Sequence, residues 1–253
     1  MSTKQILCGG GTEASRFAGS FLKEAGLPVT DLPGPDVGHL LLDVPSFSAS
    51  GSLRTGGDIR NLLSELPKEC IVYGGKLTHP ALQGYRTVNF LKDEGFLAAN
   101  AYITAECALD VALPYLTVTL RDCPVLIVGF GRIGKCLGQI LKALGSAVTV
   151  SARKETDLAM ICALGYQAVP TAQISDSIGR YRLIFNTVPF PVLSADQMAR
   201  CREDCVKIEL ASTDGMAGDD IVIARGLPGV HLPESSGALI AKTFLHYYKE
   251  EVT

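Results

Sequence analysis

The sequence has no excess of positive charge. Its 253 residues carry 23 Lys+Arg against 26 Asp+Glu, a net charge of −3, so it offers no electrostatic footprint for nucleic acid. No contiguous apolar run approaches the ~18 to 20 residues of a membrane helix. Apolar residues follow the N-terminus too briefly for a secretory core segment, and no long apolar run precedes Cys8 as a lipoprotein signal would require. The eight cysteines contain no C-x-x-C pair; scattered among apolar patterns, they read as small buried hydrophobes in a reducing cytoplasm, and a metal site is not expected. The four histidines, 39, 79, 231 and 246, lack partner motifs. There is no Ser-His-Asp arrangement, no paired carboxylates, no repeat of 20 to 50 residues and no low-complexity segment. Apolar residues make up 47% and charged residues 19%, enough to fill the cores of two medium domains or one large one.

One stretch organises the chain, Pro124 to Lys154. An apolar run, Val125 to Val128, leads into Gly129-Phe130-Gly131-Arg132-Ile133-Gly134, a G-x-G-x-x-G. Ile133, Leu137, Ile140, Leu141 and Leu144 then follow at helical spacing, Gly145 closes the helix, and Ala147 to Val150 completes a β-α-β unit. Gly129 permits the turn off the strand, Gly131 lets a pyrophosphate approach the backbone, and Gly134 lets helix and sheet pack closely. The helix start offers free N–H groups and a partial positive charge. A glycine-rich turn alone is weak; with both strands and the helix on time it reads as a dinucleotide site.

The second strand ends in Ser151-Ala152-Arg153-Lys154. An NAD site wants an acidic residue there for the ribose 2′-hydroxyl. A small residue followed by two cations suits a 2′-phosphate instead, which favours NADP(H), with NAD(H) still open. The plainer alternative makes Arg153 and Lys154 solvated charges at a helix start.

Upstream, Ile6-Leu7-Cys8 before Gly9-Gly10-Gly11 reads as a strand and turn, with Thr12 capping a helix whose apolar face includes Phe17, Ala18, Phe21 and Leu22. Without a full fingerprint it is not a second nucleotide site. His39 to Pro45 reads as a buried parallel strand, Gly57 to Leu66 as a helix and Cys70 to Tyr73 as a strand, with weak sheet signals to Phe96-Leu97-Ala98. Asn100 to Leu116 reads as a linker helix. Downstream come a helix over 154–164, an edge strand over 167–169, strands at Arg182 to Val188 and Val206 to Leu210, a sixth at Val230-His231-Leu232, and a last helix over Ala238 to Lys249. The expectation is an α/β protein of two Rossmann-like parallel-sheet domains. Residues 1–99 form a flavodoxin- or Rossmann-like substrate domain, 100–122 the linker helix and boundary, 123–235 the NAD(P)-binding domain, and 236–253 a helix crossing back over the first domain, with a cleft between the sheets. Asn186-Thr187-Val188-Pro189 would then emerge beside the nicotinamide, where Asn186 and Thr187 either hydrogen-bond its ribose or carboxamide or serve only as turn residues.

From Asn100 onward the sequence resembles the dipicolinate synthase A family. The matching segments are Thr104-x-Glu106, GFGRIG followed by Ala-Leu-Gly, Ala152-Arg153 with Leu158-Ala159, Phe185 to Pro189, Leu210-Ala211-Ser212 and Lys242-Thr243; the N-terminal half matches more loosely through Lys4-x-Ile6, Gly9-Gly10 and Val44-Pro45. The resemblance implies NAD(P)-dependent oxidation of a dihydrodipicolinate-type ring precursor to pyridine-2,6-dicarboxylate, the spore-core calcium chelator. It also implies a flavoprotein-like second subunit (the B component of the synthase) for a partner and adds Leu210, Ala211 and Ser212 to the cofactor-binding set. A homo-oligomer is expected as well. Departures from the family pattern are Gly11 for its Asp, Glu13 for its Arg, Thr213 to Met216 for its x-Pro-Gly-Gly, Ser235-Ser236-Gly237 for its Leu-Pro-Gly and Ala241 for its Pro.

Such chemistry needs a base and a clamp for two carboxylates. Cations near the expected cleft are few: Arg16, Arg54, Lys76 and Lys242. Lys242, in a family-matching dipeptide on an apolar helix, is the candidate clamp or acid/base, against a snorkelling surface role. Glu106 is the candidate base, with Thr104 and Asn100 orienting it, against a solvated helix charge. Two other readings stay open: a non-catalytic NADP-binding regulatory or scaffold protein, and a dehydrogenase of another small 2-hydroxy or 2-imino acid, whose Arg and Glu-His pair are not found.

Overall fold

The structure, a computed structural model, describes residues 4–54 and 56–252. It divides into two compact units, Met1–Asn100 with Pro228–Thr253, and Ala101–Leu227. The expected linker residues 101–122 thus fall in the second unit and residues 228–235 in the first.

The chain opens with β1 (Gln5–Cys8), α1 (Glu13–Glu24), β2 (Val29–Thr30), β3 (Val37–Leu41), α2 (Ile59–Ser64), β4 (Ile71–Gly74) and β5 (Thr87–Asn89). These strands form one parallel sheet in the order β2-β1-β3-β4-β5, the flavodoxin-like doubly wound order. Thr12 caps α1 as expected, its side chain accepting from Ser15 N–H. The strand expected over 39–45 starts and stops earlier, and α2 is shorter than expected. β2 and β5 have too few residues for a periodic signal: nothing in the sequence marks β2, and β5 lies in the stretch of weak sheet signals before Phe96.

Helix α3 (Glu94–Ala112) begins at Glu94, not Asn100. Phe96, Leu97 and Ala98 are helical because the Asp93 carboxylate accepts from Phe96 N–H at 2.6 Å and starts the helix there. Continued by a 3-10 turn at Leu113–Tyr115, the segment Glu94–Tyr115 is, by length and a mean hydropathy of 1.3, apolar enough to cross a membrane. Counting contiguous apolar residues hid this, because Asn100, Thr104, Glu106 and Asp110 interrupt the run. About 44% of that window is buried inside the structure.

The second unit continues through β6 (Pro124–Val128), α4 (Arg132–Ala143), β7 (Ala147–Ala152), α5 (Glu155–Ala163), β8 (Gln167–Pro170), β9 (Leu183–Asn186), α6 (Ala195–Met198), β10 (Val206–Glu209) and β11 (Val222–Ile223). Its sheet is parallel throughout in the order β11-β10-β9-β6-β7-β8, the Rossmann order, with the switch between β6 and β9. The middle strands are buried apolar runs, Val125 to Val128 and Leu183 to Phe185, as a sheet covered on both faces requires.

Val230-His231-Leu232, expected as the sixth strand, is not one. Pro228–His231 is a short helix, α7, with Leu232 N–H bonded to the Pro228 carbonyl, and β11 is the edge strand. Pro228 costs nothing in a first helical turn, where its missing N–H has no partner to lose. Helix α8 (Pro233–Val252) follows and packs on α1 within the first unit. The crossing is tight at Gly237, where a Cβ would lie 2.5 Å from Phe17 Cβ and 2.6 Å from the Ala14 carbonyl oxygen. Ile240, Ala241, Phe244 and Tyr248 of α8 join Ile6, Ala18, Leu22, Tyr73 and Phe90 in one core. Deleting a buried ring such as Phe244 would cost about 3–5 kcal/mol.

Candidate nucleotide-binding site

A groove of about 670 Å³ opens at the carboxyl edge of the second sheet. Its floor is the turn leaving β6. Gly129 has φ +103°, a conformation open to glycine, and a Cβ there would also strike Thr187 Oγ1 and Val188 Cγ2. A Cβ on Gly134 would run into the Gly129 carbonyl oxygen, so α4 presses against the turn at that point. Above Gly131, by contrast, nothing lies within 4 Å of an added Cβ. Gly131 is also the N-cap of α4 and makes no side-chain cap. The N–H groups of the first turn therefore face the open side, where an anionic group is stabilised.

One side of the groove is lined by Ser151, Ala152, Arg153, Lys154, Asp157, Thr171 and Ala172. Ser151 is fully buried, and its hydroxyl has no hydrogen-bond partner among the described residues. Buried hydroxyls are normally paired, so this one is available to a ligand. Arg153 and Lys154 are exposed, and Lys154 heads α5 without a side-chain cap. The other side is lined by Thr187, Val188, Pro189, Phe190, Pro191, Val192 and Gln197. Phe130 joins the floor, with Lys135 over its ring at 4.9 Å.

Of the expected cofactor-binding residues, Gly129, Gly131, Ser151, Ala152, Arg153, Lys154, Thr187, Val188 and Pro189 line this groove. Arg132, Ile133 and Gly134 form the first turn of α4 behind it. Leu210, Ala211, Ser212 and Asn186 do not line it. Asn186, expected beside the nicotinamide, is fully buried. Its amide nitrogen donates to Glu209 Oε1 at 2.8 Å and Oε2 at 3.0 Å and to the Val188 carbonyl at 3.0 Å, while its oxygen accepts from Val188 N–H at 3.1 Å. Strand register explains this: Val128 pairs with Ser151 and with Asn186, and Asn186 with Glu209, so the row ending the sheet sets Asn186 beside Glu209. Asp157 in α5, Gln197 in α6, Thr171 and Ala172 in a 3-10 turn, and Phe190, Pro191 and Val192 in a loop also line the groove, and no sequence motif marks them. The sequence reading also passed over Glu209, whose signal was a single acid ending the apolar strand Val206 to Glu209.

The four candidate catalytic residues do not share one surface. Asn100 and Thr104, four residues apart on α3, lie on one face, but Glu106, two residues beyond Thr104, turns about 200° away. Glu106 is exposed. Lys242 is exposed on α8 and borders a groove of about 840 Å³ within the first unit, with Phe21, Leu245, His246 and Lys249. Thr243 beside it is buried, its hydroxyl donating to the Leu239 carbonyl. Among the described residues no group of three His, Cys, Asp or Glu could hold a metal ion.

The fold and this groove define a class, α/β proteins with two parallel sheets, one of them a Rossmann unit. Within that class the chain is similar in structure to the A component of dipicolinate synthase. The likeness to the Bacillus halodurans protein has a TM-score of 0.83 at 20% identity over 97% of both chains. For the A chain of dipicolinate synthase from Bacillus subtilis the TM-score is 0.82 at 19% identity, over 99% of this chain and 97% of that one. A transhydrogenase from Sinorhizobium meliloti matches at TM-score 0.71 and 13% identity, over 91% of this chain and 79% of its own. At these identities the likeness is one of fold. A scan against family models finds no match, and neither does a search of curated proteins.

Proposed function

We propose that the chain is an NADP(H)-dependent oxidoreductase, a divergent counterpart of the A component of dipicolinate synthase, acting on a dihydrodipicolinate-type dicarboxylate and yielding pyridine-2,6-dicarboxylate. One observation carries the reading. The groove joins an uncapped helix start and open space over Gly131 to a buried, unpartnered Ser151 hydroxyl beside Arg153 and Lys154. The first pair suits a diphosphate, the second a ribose 2′-phosphate. Bound NADP⁺ would supply the hydride acceptor. The chain's contribution is to bind and orient: the α4 N–H groups at the diphosphate, Arg153 and Lys154 at the 2′-phosphate, and Thr187 to Val192 along the remaining wall. Aromatisation of the ring also releases a proton, for which Glu106 and Lys242 are the candidate acceptors. A homo-oligomer and a flavin-binding partner protein complete the proposal.

Asp157, on the same wall, supplies an acceptor for ribose hydroxyls and is the one feature favouring NAD(H). A second reading, a nucleotide-binding protein without catalysis, is favoured by the opposed faces of Thr104 and Glu106 on α3. Calorimetry with NADPH and NADH, followed by nicotinamide absorbance with the condensation product of aspartate semialdehyde and pyruvate, separates these readings. NADPH is expected to bind the tighter, with turnover. Arg153→Ala should weaken NADPH about tenfold, the loss of one charge-assisted contact, and leave NADH unchanged. Equal loss for both nucleotides would remove the 2′-phosphate assignment, and binding without turnover would favour the second reading.

A further inference from the structure

Glu209 ends β10 in the row that closes the second sheet, and the nucleotide reading gives it no role. It is fully buried. The buried cation two residues earlier, Lys207, is paired with Asp220 instead. Among the described residues, Glu209's hydrogen-bond partners are all N–H donors. Oε1 accepts from Asn186 Nδ2 at 2.8 Å and Ala211 N–H at 3.0 Å; Oε2 accepts from Asn186 Nδ2 at 3.0 Å, Gly215 N–H at 2.9 Å and Met216 N–H at 3.2 Å.

Two of these links, through Asn186 and Gly215, lead on to the groove. Asn186 brackets Val188 with two hydrogen bonds, and Val188 lines the wall. The Gly215 carbonyl accepts from Val192 N–H at 2.8 Å and Leu193 N–H at 3.0 Å, and Val192 lines the same wall. Gly215 is pressed so closely that a Cβ would strike Asn186 Nδ2 and lie 2.8 Å from the Val188 carbonyl and 2.9 Å from that of Phe190. Segment 187–192 is thus tied at both ends to one carboxylate.

In a doubly wound sheet the two halves of a dinucleotide lie on either side of the switch. Ser151 to Lys154 mark the adenosine side, which leaves 187–192 for the nicotinamide. We propose that Glu209 is the positioning residue for the nicotinamide half of the groove, holding segment 187–192 in place through Asn186 and Gly215. The proposal rests on the nucleotide-binding reading above.

Glu209→Gln tests it, because glutamine keeps the shape and turns an NH₂ toward groups that only donate. In the full chain, calorimetry compares NADPH with adenosine 2′,5′-bisphosphate, which lacks the nicotinamide half, and emission of bound NADPH reports the ring's surroundings. NADPH is expected to weaken about tenfold, as for a buried donor left unpaired, with its bound emission altered and the bisphosphate affinity unchanged. Asn186→Ala, which cuts the link to Val188 and spares Glu209's three backbone donors, should give the same split; it decides the matter if Glu209→Gln does not fold. Wild-type affinity for both ligands in the variants, or equal loss for both, overturns the positioning role. A wild-type chain that binds neither ligand overturns the nucleotide reading itself.

Discussion

The two units begin their sheets alike, with an apolar strand, three glycines in the following turn or helix start, and a helix, and then treat the helix start in opposite ways. In the first unit the N-terminus of α1 is filled from within. Asp43, buried just beyond β3, accepts from Gly11 N–H and Thr12 N–H, each at 3.1 Å, and from the hydroxyls of Thr12 at 2.5 Å and Ser15 at 2.6 Å. Asp58 likewise caps α2, and Asp93 starts α3. In the second unit α4 and α5 have no side-chain cap, and both helix starts border the groove. The same partial charge is therefore answered by the chain's own carboxylates in one unit and by no side chain at α4 and α5 in the other. A β-α turn signals an anion site only where no internal acid has already taken it.

The contrast can be broken from either side. The largest effect is expected of Gly131→Asp, which gives α4 the kind of cap that α1 already has. Asp is a favoured N-cap, so thermal stability should hold or rise, while NADPH affinity falls about a hundredfold or more as a carboxylate takes the phosphate's place. Unchanged affinity by calorimetry would mean that the α4 start does not hold the nucleotide.

The converse, Asp43→Ala, should cost about 1–3 kcal/mol in denaturant unfolding, since buried N–H and O–H groups lose their acceptor. It should also make the melting temperature rise more steeply with added phosphate than that of the wild type, the α4 start being open in both. An equal phosphate response in variant and wild type would deny that α1 keeps a latent anion site.

The smallest effect concerns Asp93. Its carboxyl is held below the usual carboxylate range by the Phe96 N–H and then by the Tyr247 hydroxyl, which donates to it at 2.7 Å. The same bond pushes Tyr247 up to about 12. A depressed acid stabilises above its unfolded pKa and loses that contribution as pH falls through the folded value. A raised phenol stabilises below about 10 and loses its contribution as pH climbs toward the folded value. Tyr247→Phe should therefore lower stability by under about 1 kcal/mol, with the difference largest between about pH 5 and 9 and shrinking on both flanks. A difference that is flat with pH would mean the bond does not set these two titrations.

The β-α-β unit was legible because three signals with different physical origins coincide there: an apolar strand, glycines demanded by backbone approach, and a helical stripe. β3 and β4 were legible as buried apolar runs. β2, β5 and β11 were not, because two or three residues carry no period and their pairing comes from neighbours distant in sequence. Val230 to Leu232 misled because three apolar-rich residues fit either state, and the proline two residues before Val230 decided for helix. At the site, the glycines and the Ser151-to-Lys154 stretch stood out from local pattern. Asn186 stood out as a polar residue at a strand end and was expected beside the nicotinamide or in turn chemistry, but its partner depends on cross-strand register, which sets Glu209 beside it. Asp43 was hidden for the same reason: its hydrogen bonds reach Gly11, Thr12 and Ser15, which lie 28 to 32 residues earlier in the chain.

The first unit's core draws on Ile240, Phe244 and Tyr248 as much as on Ile6 and Leu22. During translation the β1-to-β5 segment must wait on the ribosome, with one helical wall missing, while all of residues 101–227 are made. The unit synthesised second can close before the one synthesised first. An interruption of synthesis shortly before α8 would release a chain whose second unit is complete and whose leading unit has bare apolar surface, a natural substrate for chaperones and proteases.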